Sequence, residues 1–257
     1  KLFKDFEKVP FDTPKPIKLV STLVRLISND ENDIVLDAFA GSATTADSVM
    51  QLSAEDGIKR RWILINLPEK FASESEAYAK GFENIAELGE ERIRRAGVQM
   101  KTEDPMNVNS VDYGFKVFEL GQTNFLAWDA DALNSGQTNL RFESDNVKQG
   151  RDNVDVLYEI MLKKGIDLSS PVTATDVPGG TLFDVNFGSL FVVLGDAIDR
   201  SVANKIIQKR KDYVVDGLFI TSNVIFVDSS FSSTEEKLNA LSVLADGGYN
   251  PDEIESI

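Results

Sequence analysis

Apolar residues recur along this chain in two rhythms. Ile17, Val20, Val24 and Ile27 fall three or four apart, which predicts an amphipathic helix ending at the polar stretch Asn29–Asp33. That helix is entered through Thr13-Pro14-Lys15-Pro16, which must be extended, because proline disfavours the helical region for the residue before it. Ile34-Val35-Leu36 is apolar without alternation, the pattern of a parallel strand buried on both faces. The run ends in Asp37, turns through Ala40-Gly41-Ser42-Ala43 and continues into a predicted helix from Thr44. Lys59-Arg60-Arg61 precede a second apolar run, Trp62-Ile63-Leu64-Ile65, read as the neighbouring parallel strand. From Phe82 to about Ala96 the pattern is helical again, with Glu90/Arg94 and Glu91/Arg95 at supportive spacing and Gly97 as the stop. Helix, strand, helix, strand, helix over the first hundred residues is half of an open α/β sheet.

A polar stretch at residues 101–110 predicts a linker, so the expected domains are 1–100 and 101–257. Beyond it, residues 113–120 read as a strand and residues 152–165 as a helix closed by Gly165. Residues 181–194 form a hairpin turning near Asn186–Gly188, and residues 199–210 a helix. One or two strands follow within residues 217–228. Ser233 and Glu236 have the spacing of a capping box for a helix that stops at Gly247-Gly248. The second region is therefore expected to be a smaller α+β domain with its own core.

Composition narrows the chemistry. The chain has 257 residues, 42% of them hydrophobic and 27% charged, which is ordinary for a globular protein. No apolar run approaches the roughly 18–20 residues of a membrane-spanning helix, and no signal peptide is recognisable. There is no cysteine and no histidine, which excludes disulfides, thiolate or imidazole metal sites, and Ser-His-Asp or Cys-His catalysis within this chain. A cytoplasmic location is the expectation that suits such a chain. A net charge of −15 makes the chain alone a poor nucleic-acid binder, since neutralised phosphates supply most of that affinity. The start at Lys1, without an initiator methionine, suggests excision from something longer.

The turn after the first strand is where a ligand would go. Small residues let the backbone approach closely, and a helix N-terminus offers unpaired N–H groups to a polar or anionic group. The pattern satisfies neither the dinucleotide-binding glycine fingerprint nor the phosphate loop. On pattern alone, a ligand site and a merely tight strand–helix turn both stay open. Asp37 is either a ligand contact or a loop-bonding carboxylate, and Pro14 and Pro16 either border a ligand or set the entry to a helix. The Lys59-Arg60-Arg61 cluster reads as solvated rather than as a phosphate contact, and Trp62 reads as core.

Taken together, "FDTPKPIKLV", "DIVLDAFAGSATTADSVM", "RRWILINLPE" and "IAELGEERIRRA" resemble consecutive blocks of one family. They look like the C-terminal half of β-arrangement DNA adenine-N6 methyltransferases, specifically the modification (Mod) subunit of type III restriction–modification systems. "GFKVFEL", "FGSLFVVL", "VIFVDSSF" and "EEKLNAL" are similar to that subunit's C-terminal domain. The resemblance implies a partial Rossmann-like sheet that binds S-adenosylmethionine, followed by an accessory or dimerisation domain. It implies that Thr13, Pro14, Lys15 and Pro16 border the methionine end of the cofactor. Asp37, Phe39, Ala40, Gly41 and Ser42 would form the turn beneath it, and Asn66, with Glu69 nearby, would meet the ribose hydroxyls. Two departures stand out. Ala43 replaces the family's third small residue, glycine, and fits readily only if its φ stays negative. Asn66 replaces a carboxylate, which weakens the ribose contact.

Adenine-N6 transfer also needs an Asp-Pro-Pro-Tyr-type motif to hold the flipped base. The chain has eight prolines, no two adjacent, so that motif is absent and no catalytic residue or metal site is assigned. The resemblance implies DNA as the partner of the full-length protein, homodimers and possible docking of a restriction subunit, with no membrane. A cofactor-binding but catalytically incomplete methyltransferase portion is the leading reading. A non-catalytic assembly module is the alternative.

Overall fold

The computed structural model describes residues 2–11, 13–31, 33–105, 111–126, 147–214 and 221–257. They form a mixed α/β protein of two compact units, Lys1–Lys116 and Val117–Ile257. Among the described residues no helix is long and apolar enough to cross a membrane.

In the first unit, α1 (Ile17–Ile27) follows Pro16, whose extended backbone starts the helix. Val24 packs on Val49 and Leu52, whereas Leu19, Leu23, Leu26 and Ile27 face outward. β1 (Ile34–Asp37) and β2 (Arg61–Leu64) pair in parallel, Val35 opposite Trp62 and Asp37 opposite Leu64. The crossover between them is α2 (Thr44–Asp56). Val35, Trp62 and Leu64 turn toward the helices, and Trp62 is part of the core as expected.

The other face of the two strands is bare. Ile34 is 48% exposed, Leu36 61% and Ile63 50%. The expectation of a strand buried on both faces is therefore overturned: helices cover one side only. A continuous apolar run signals two-sided burial only where a second layer is present to complete it.

After the short α3 (Glu76–Ala79), α4 (Ile85–Glu103) begins at Asn84, whose side chain accepts from the Ala86 and Glu87 N–H groups. Glu90–Arg94 and Glu91–Arg95 pair along it as their spacing requires. Gly97 does not end this helix, which runs on through residues 101–103 of the expected linker. Its missing side chain instead admits the Tyr113 ring, whose Cβ lies 3.3 Å from where a Gly97 Cβ would stand. Residues 106–110 of that linker lie outside the described residues. Phe3, Phe6, Phe11 and Phe82 form an aromatic cluster over Ala77 and Leu88.

The second unit is built on a five-stranded mixed sheet in the order β3 (Val172–Val177), β4 (Gly180–Val185), β5 (Leu190–Gly195), β6 (Asn223–Phe226), β7 (Ile254–Ser256). The hairpin β4–β5 turns through Asn186, Phe187 and Gly188, all at positive φ. β5, β6 and β7 run parallel, joined by crossovers through α6 (Ser201–Asp212) and α7 (Thr234–Asp246). Alternate residues of β5 face opposite sides. Phe191 and Val193 pack with Ile206 and Leu244, while Val192 and Leu194 pack with Leu157 and Met161 of α5 (Asn153–Lys163). Both faces of this sheet are thus covered, and the unit spans more residues than the first, where a smaller domain was expected.

Ser233 caps α7 by accepting from the Glu236 N–H. Glu236 does not complete the box; its carboxylate accepts from the Arg200 N–H instead. β3 and β7 were not anticipated from the sequence. Residues 113–120, expected as a strand, carry no ladder, and Val117, Phe118 and Leu120 are exposed. Residues 217–220 of the expected strand region lie outside the described residues.

A buried carboxylate, Asp184, and a half-buried one, Glu159, tie this unit together, and each yields a test. Asp184, 2% exposed, accepts from the Gly188 N–H at 2.7 Å and the Tyr213 hydroxyl at 2.8 Å, with the Lys209 ammonium 3.6 Å away. The hydrogen bond to Asp184 raises the Tyr213 phenol above its ordinary value. Asp184→Ala strips three polar groups of their partner, and urea unfolding is expected to register a loss of about 2–4 kcal/mol. Glu159 anchors the extended segment before α5. Burial works against its ionisation, but the Thr123 hydroxyl, the Asn124 N–H and the Lys163 ammonium outweigh that and hold its pKa at about 2. A depressed carboxylate stabilises the fold above its unfolded value near 4.5 and ceases to as pH falls toward 2. Unfolding followed between pH 5 and pH 2 should show that loss, and Glu159→Gln should flatten this part of the profile.

Candidate functional site

The carboxyl ends of β1 and β2 meet at the predicted turn. The Ile65 N–H donates to the Asp37 carbonyl at 2.9 Å and the Ala40 N–H to the Ile65 carbonyl at 3.0 Å, so the parallel ladder continues past both strands. The Asp37 carboxylate closes the loop that it begins. One oxygen accepts from the Phe39 N–H at 3.1 Å and the other from the Thr45 hydroxyl at 2.5 Å. Asn66, at the tip of β2, donates its Nδ2 to the Gly41 carbonyl at 3.2 Å. Asp37, Phe39, Ala40, Gly41, Ser42 and Asn66 are thereby brought to one place.

Gly41 and Ala43 are both left-handed, at φ 49° and 55°. For glycine this is free. For Ala43 the β-carbon crowds the following carbonyl, at a cost of about 1–2 kcal/mol. The negative φ that would have suited alanine is not adopted, because the chain must reverse within Gly41–Ala43 to feed α2 from the strand end.

The side chain that grips this turn was not singled out from the sequence. Arg92 of α4, its side chain 9% exposed, donates Nη1 to the Ser42 carbonyl and hydroxyl, both at 3.1 Å, and to the Thr44 hydroxyl at 2.8 Å. Its Nε and Nη2 point at Asp47 Oδ2, at 3.4 and 3.2 Å, and Asp47 is 1% exposed. Gly89, one turn earlier on α4, lies against the same loop: a Cβ there would stand 3.3 Å from the Gly41 carbonyl oxygen and 3.4 Å from the Ala43 methyl. One signal was available. Arg92 sits four residues after Leu88 and four before Ala96, on the apolar face of the helix, where a charge demands a partner.

The remaining expected residues are more dispersed. Thr13, Pro14, Lys15 and Pro16 are exposed and lead into α1, whose first carbonyl, Ile17, accepts from the Ser48 hydroxyl of α2 at 3.3 Å. Glu69 is exposed, and its carbonyl accepts from the Ile85 N–H at 3.0 Å. A cavity of about 650 Å³ lies beside α2 and α4, lined by Phe11, Pro14, Ile17, Asp47, Gln51 and Arg92 among others. It includes none of Asp37, Phe39, Gly41 or Asn66, so cavity and turn are different places.

The basic cluster before β2 is not a solvated patch throughout. Arg60 is buried, donating to the Ser28 carbonyl at the end of α1 and pairing with Asp56 at 2.8 Å. Among the described residues no group of three or more acidic side chains is arranged to hold a metal ion.

Residues 4–77, which contain the turn and both strands, match the DNA methylase family. The chain is 30% identical over 227 residues to the type III restriction-modification enzyme EcoP15I Mod subunit of Escherichia coli, covering 88% of this chain and 32% of that protein. It is 39% identical over 106 residues to the StyLTI Mod subunit of Salmonella typhimurium, covering 41% of this chain and 16% of that one. A type II methyltransferase of Klebsiella pneumoniae, M.KpnI, is 31% identical over 90 residues, 35% of this chain and 21% of that protein. The chain spans about a third or less of the length of these relatives. By these matches the chain is similar to DNA methylases around the turn and, over 88% of its length, to the Mod subunit of a type III restriction–modification enzyme.

Proposed function

We propose that the first unit is the cofactor-binding portion of a site-specific DNA adenine-N6 methyltransferase, that its ligand is S-adenosylmethionine, and that its two strands belong to a Rossmann-like methyltransferase sheet. The observation that carries the reading is the left-handed turn at the carboxyl end of β1, inside the stretch matched to the DNA methylases. In open α/β sheets, ligands bind outside the carboxyl ends of the strands. The turn suits this ligand on its own geometry. Phe39, 89% exposed, offers an apolar ring at its lip, and an added Cβ on Gly41 would meet nothing closer than the Phe39 carbonyl at 3.9 Å, so backbone is open to approach.

In this reading S-adenosylmethionine supplies the electrophilic methyl group when bound. Asp37, Phe39, Ala40, Gly41 and Ser42 form the floor, with Asp37 acting through the loop that its carboxylate closes. Asn66 and Glu69 face the ribose hydroxyls, and Thr13, Pro14, Lys15 and Pro16 border the methionine end. The base-holding Asp-Pro-Pro-Tyr-type motif is not in this sequence, so the chain binds cofactor without methylating DNA by itself. The bare face formed by Ile34, Leu36 and Ile63 is where the rest of such a domain would pack.

The second unit has a sheet covered on both faces, which favours a separate role for it. It is read as the accessory domain that pairs two Mod-like chains or docks a restriction subunit. If the first unit binds no cofactor, assembly is the function that remains.

Isothermal calorimetry with S-adenosylhomocysteine should give saturable binding that Asp37→Ala weakens at least tenfold, while labelled methyl transfer to DNA stays at background. Absence of binding overturns the cofactor reading, and methyl transfer by this chain alone overturns its incompleteness. Sedimentation should show association that Leu36→Glu with Ile63→Glu reduces, because the bare strand face is then charged.

A further inference from the structure

We propose that Arg92 is a positioning residue for the cofactor turn, clamping the two neighbours of its strained alanine. The proposal rests on the reading that the turn holds S-adenosylmethionine. Arg92 lies outside the stretch matched to the DNA methylases, and its nearly buried guanidinium is engaged by Ser42, Thr44 and Asp47 of the protein itself. What it touches is specific. One end of the guanidinium bonds Ser42 and Thr44, the residues on either side of Ala43, and the other edge is held by Asp47.

Each part of this arrangement answers a physical need of the loop. Ala43 is held at φ 55°, where a non-glycine residue relaxes unless its surroundings prevent it. Nη1 alone donates to both flanking residues, and the planar guanidinium holds that nitrogen in place while Nε and Nη2 face Asp47, a two-sided grip that a single ammonium cannot make. Asp47 neutralises the buried cation and sets its rotation. Gly89 brings α4 close enough for the clamp, since a side chain there would press on the Gly41 carbonyl and the Ala43 methyl. With the loop fixed from below by α4, its upper side keeps one shape in the absence of ligand, so binding does not have to order it.

The dependence on Arg92 is therefore a consequence of alanine at position 43. Glycine there adopts the same φ without support. The coupling separates positioning from general stability: Ala43→Gly should raise affinity in the Arg92 variants and leave it unchanged where Arg92 is present, whereas a general gain in stability would be the same in both.

The test uses the full chain with S-adenosylhomocysteine as probe. Arg92→Lys keeps the charge and loses the fork. Arg92→Met with Asp47→Leu removes both charges, so no unpaired buried ion remains to unfold the chain. In either background affinity should fall about tenfold, the factor equivalent to ~1.4 kcal/mol and the order of one left-handed non-glycine residue. Adding Ala43→Gly should restore most of it. Unchanged affinity in both backgrounds, or a loss that Ala43→Gly leaves in place, overturns the proposal. If the unsubstituted chain binds no S-adenosylhomocysteine, the cofactor reading fails and the clamp is judged by nuclear magnetic resonance. Gly41–Thr44 amide signals should then shift and exchange faster in Arg92→Lys, and unaltered signals overturn it.

Discussion

A cation buried between two helices and a loop organises the first unit. The Arg92–Asp47 pair is almost fully withdrawn from water, and desolvating two charges is expensive unless every remaining polar direction is satisfied. Here the surplus donors of the guanidinium fall on Ser42 and Thr44, so a costly ion pair and a strained turn stabilise each other. The strand end, the start of α2 and the packing of α4 all converge on this one group. Removing it would leave a buried carboxylate unpaired and Ser42 and Thr44 without the donor that holds them on either side of Ala43.

The same economy of cations runs through the unit. Arg25 pairs with Glu55, Arg60 with Asp56, Arg94 with Glu90, and Arg95 with Glu91 and Asp5. In a chain with a net charge of −15, these arginines serve internal contacts rather than a basic face. Phosphate contacts would need cations that are not already engaged.

The two units contrast in how they bury apolar surface. The second encloses its sheet between α5 on one side and α6 with α7 on the other, and its strands alternate cleanly between two cores. The first covers one face of β1 and β2 and leaves isoleucine and leucine in solvent on the other. Exposed apolar surface of this kind is the sort on which other protein packs. The difference in completeness is the strongest structural support for assigning the two units separate tasks.

Most of the local architecture was legible in the chain itself. Helical spacing placed α1, α5, α6 and α7, the strand–turn–helix outline placed the Asp37–Ala43 loop, and glycine and asparagine marked the β4–β5 hairpin, because these signals are local and repeat over a turn or more. Four ordered blocks were enough to point to the Mod-like family. Tertiary structure decided what depends on partners distant in sequence. It made Gly97 a contact for Tyr113 rather than a stop, and left residues 113–120 without a strand ladder among the described residues. It drove Ala43 left-handed, exposed one side of a strand that reads as buried, and drew Arg60 and Arg92 inside. A charge or a small residue has one identity in sequence and several uses in space, and only the groups that surround it select among them.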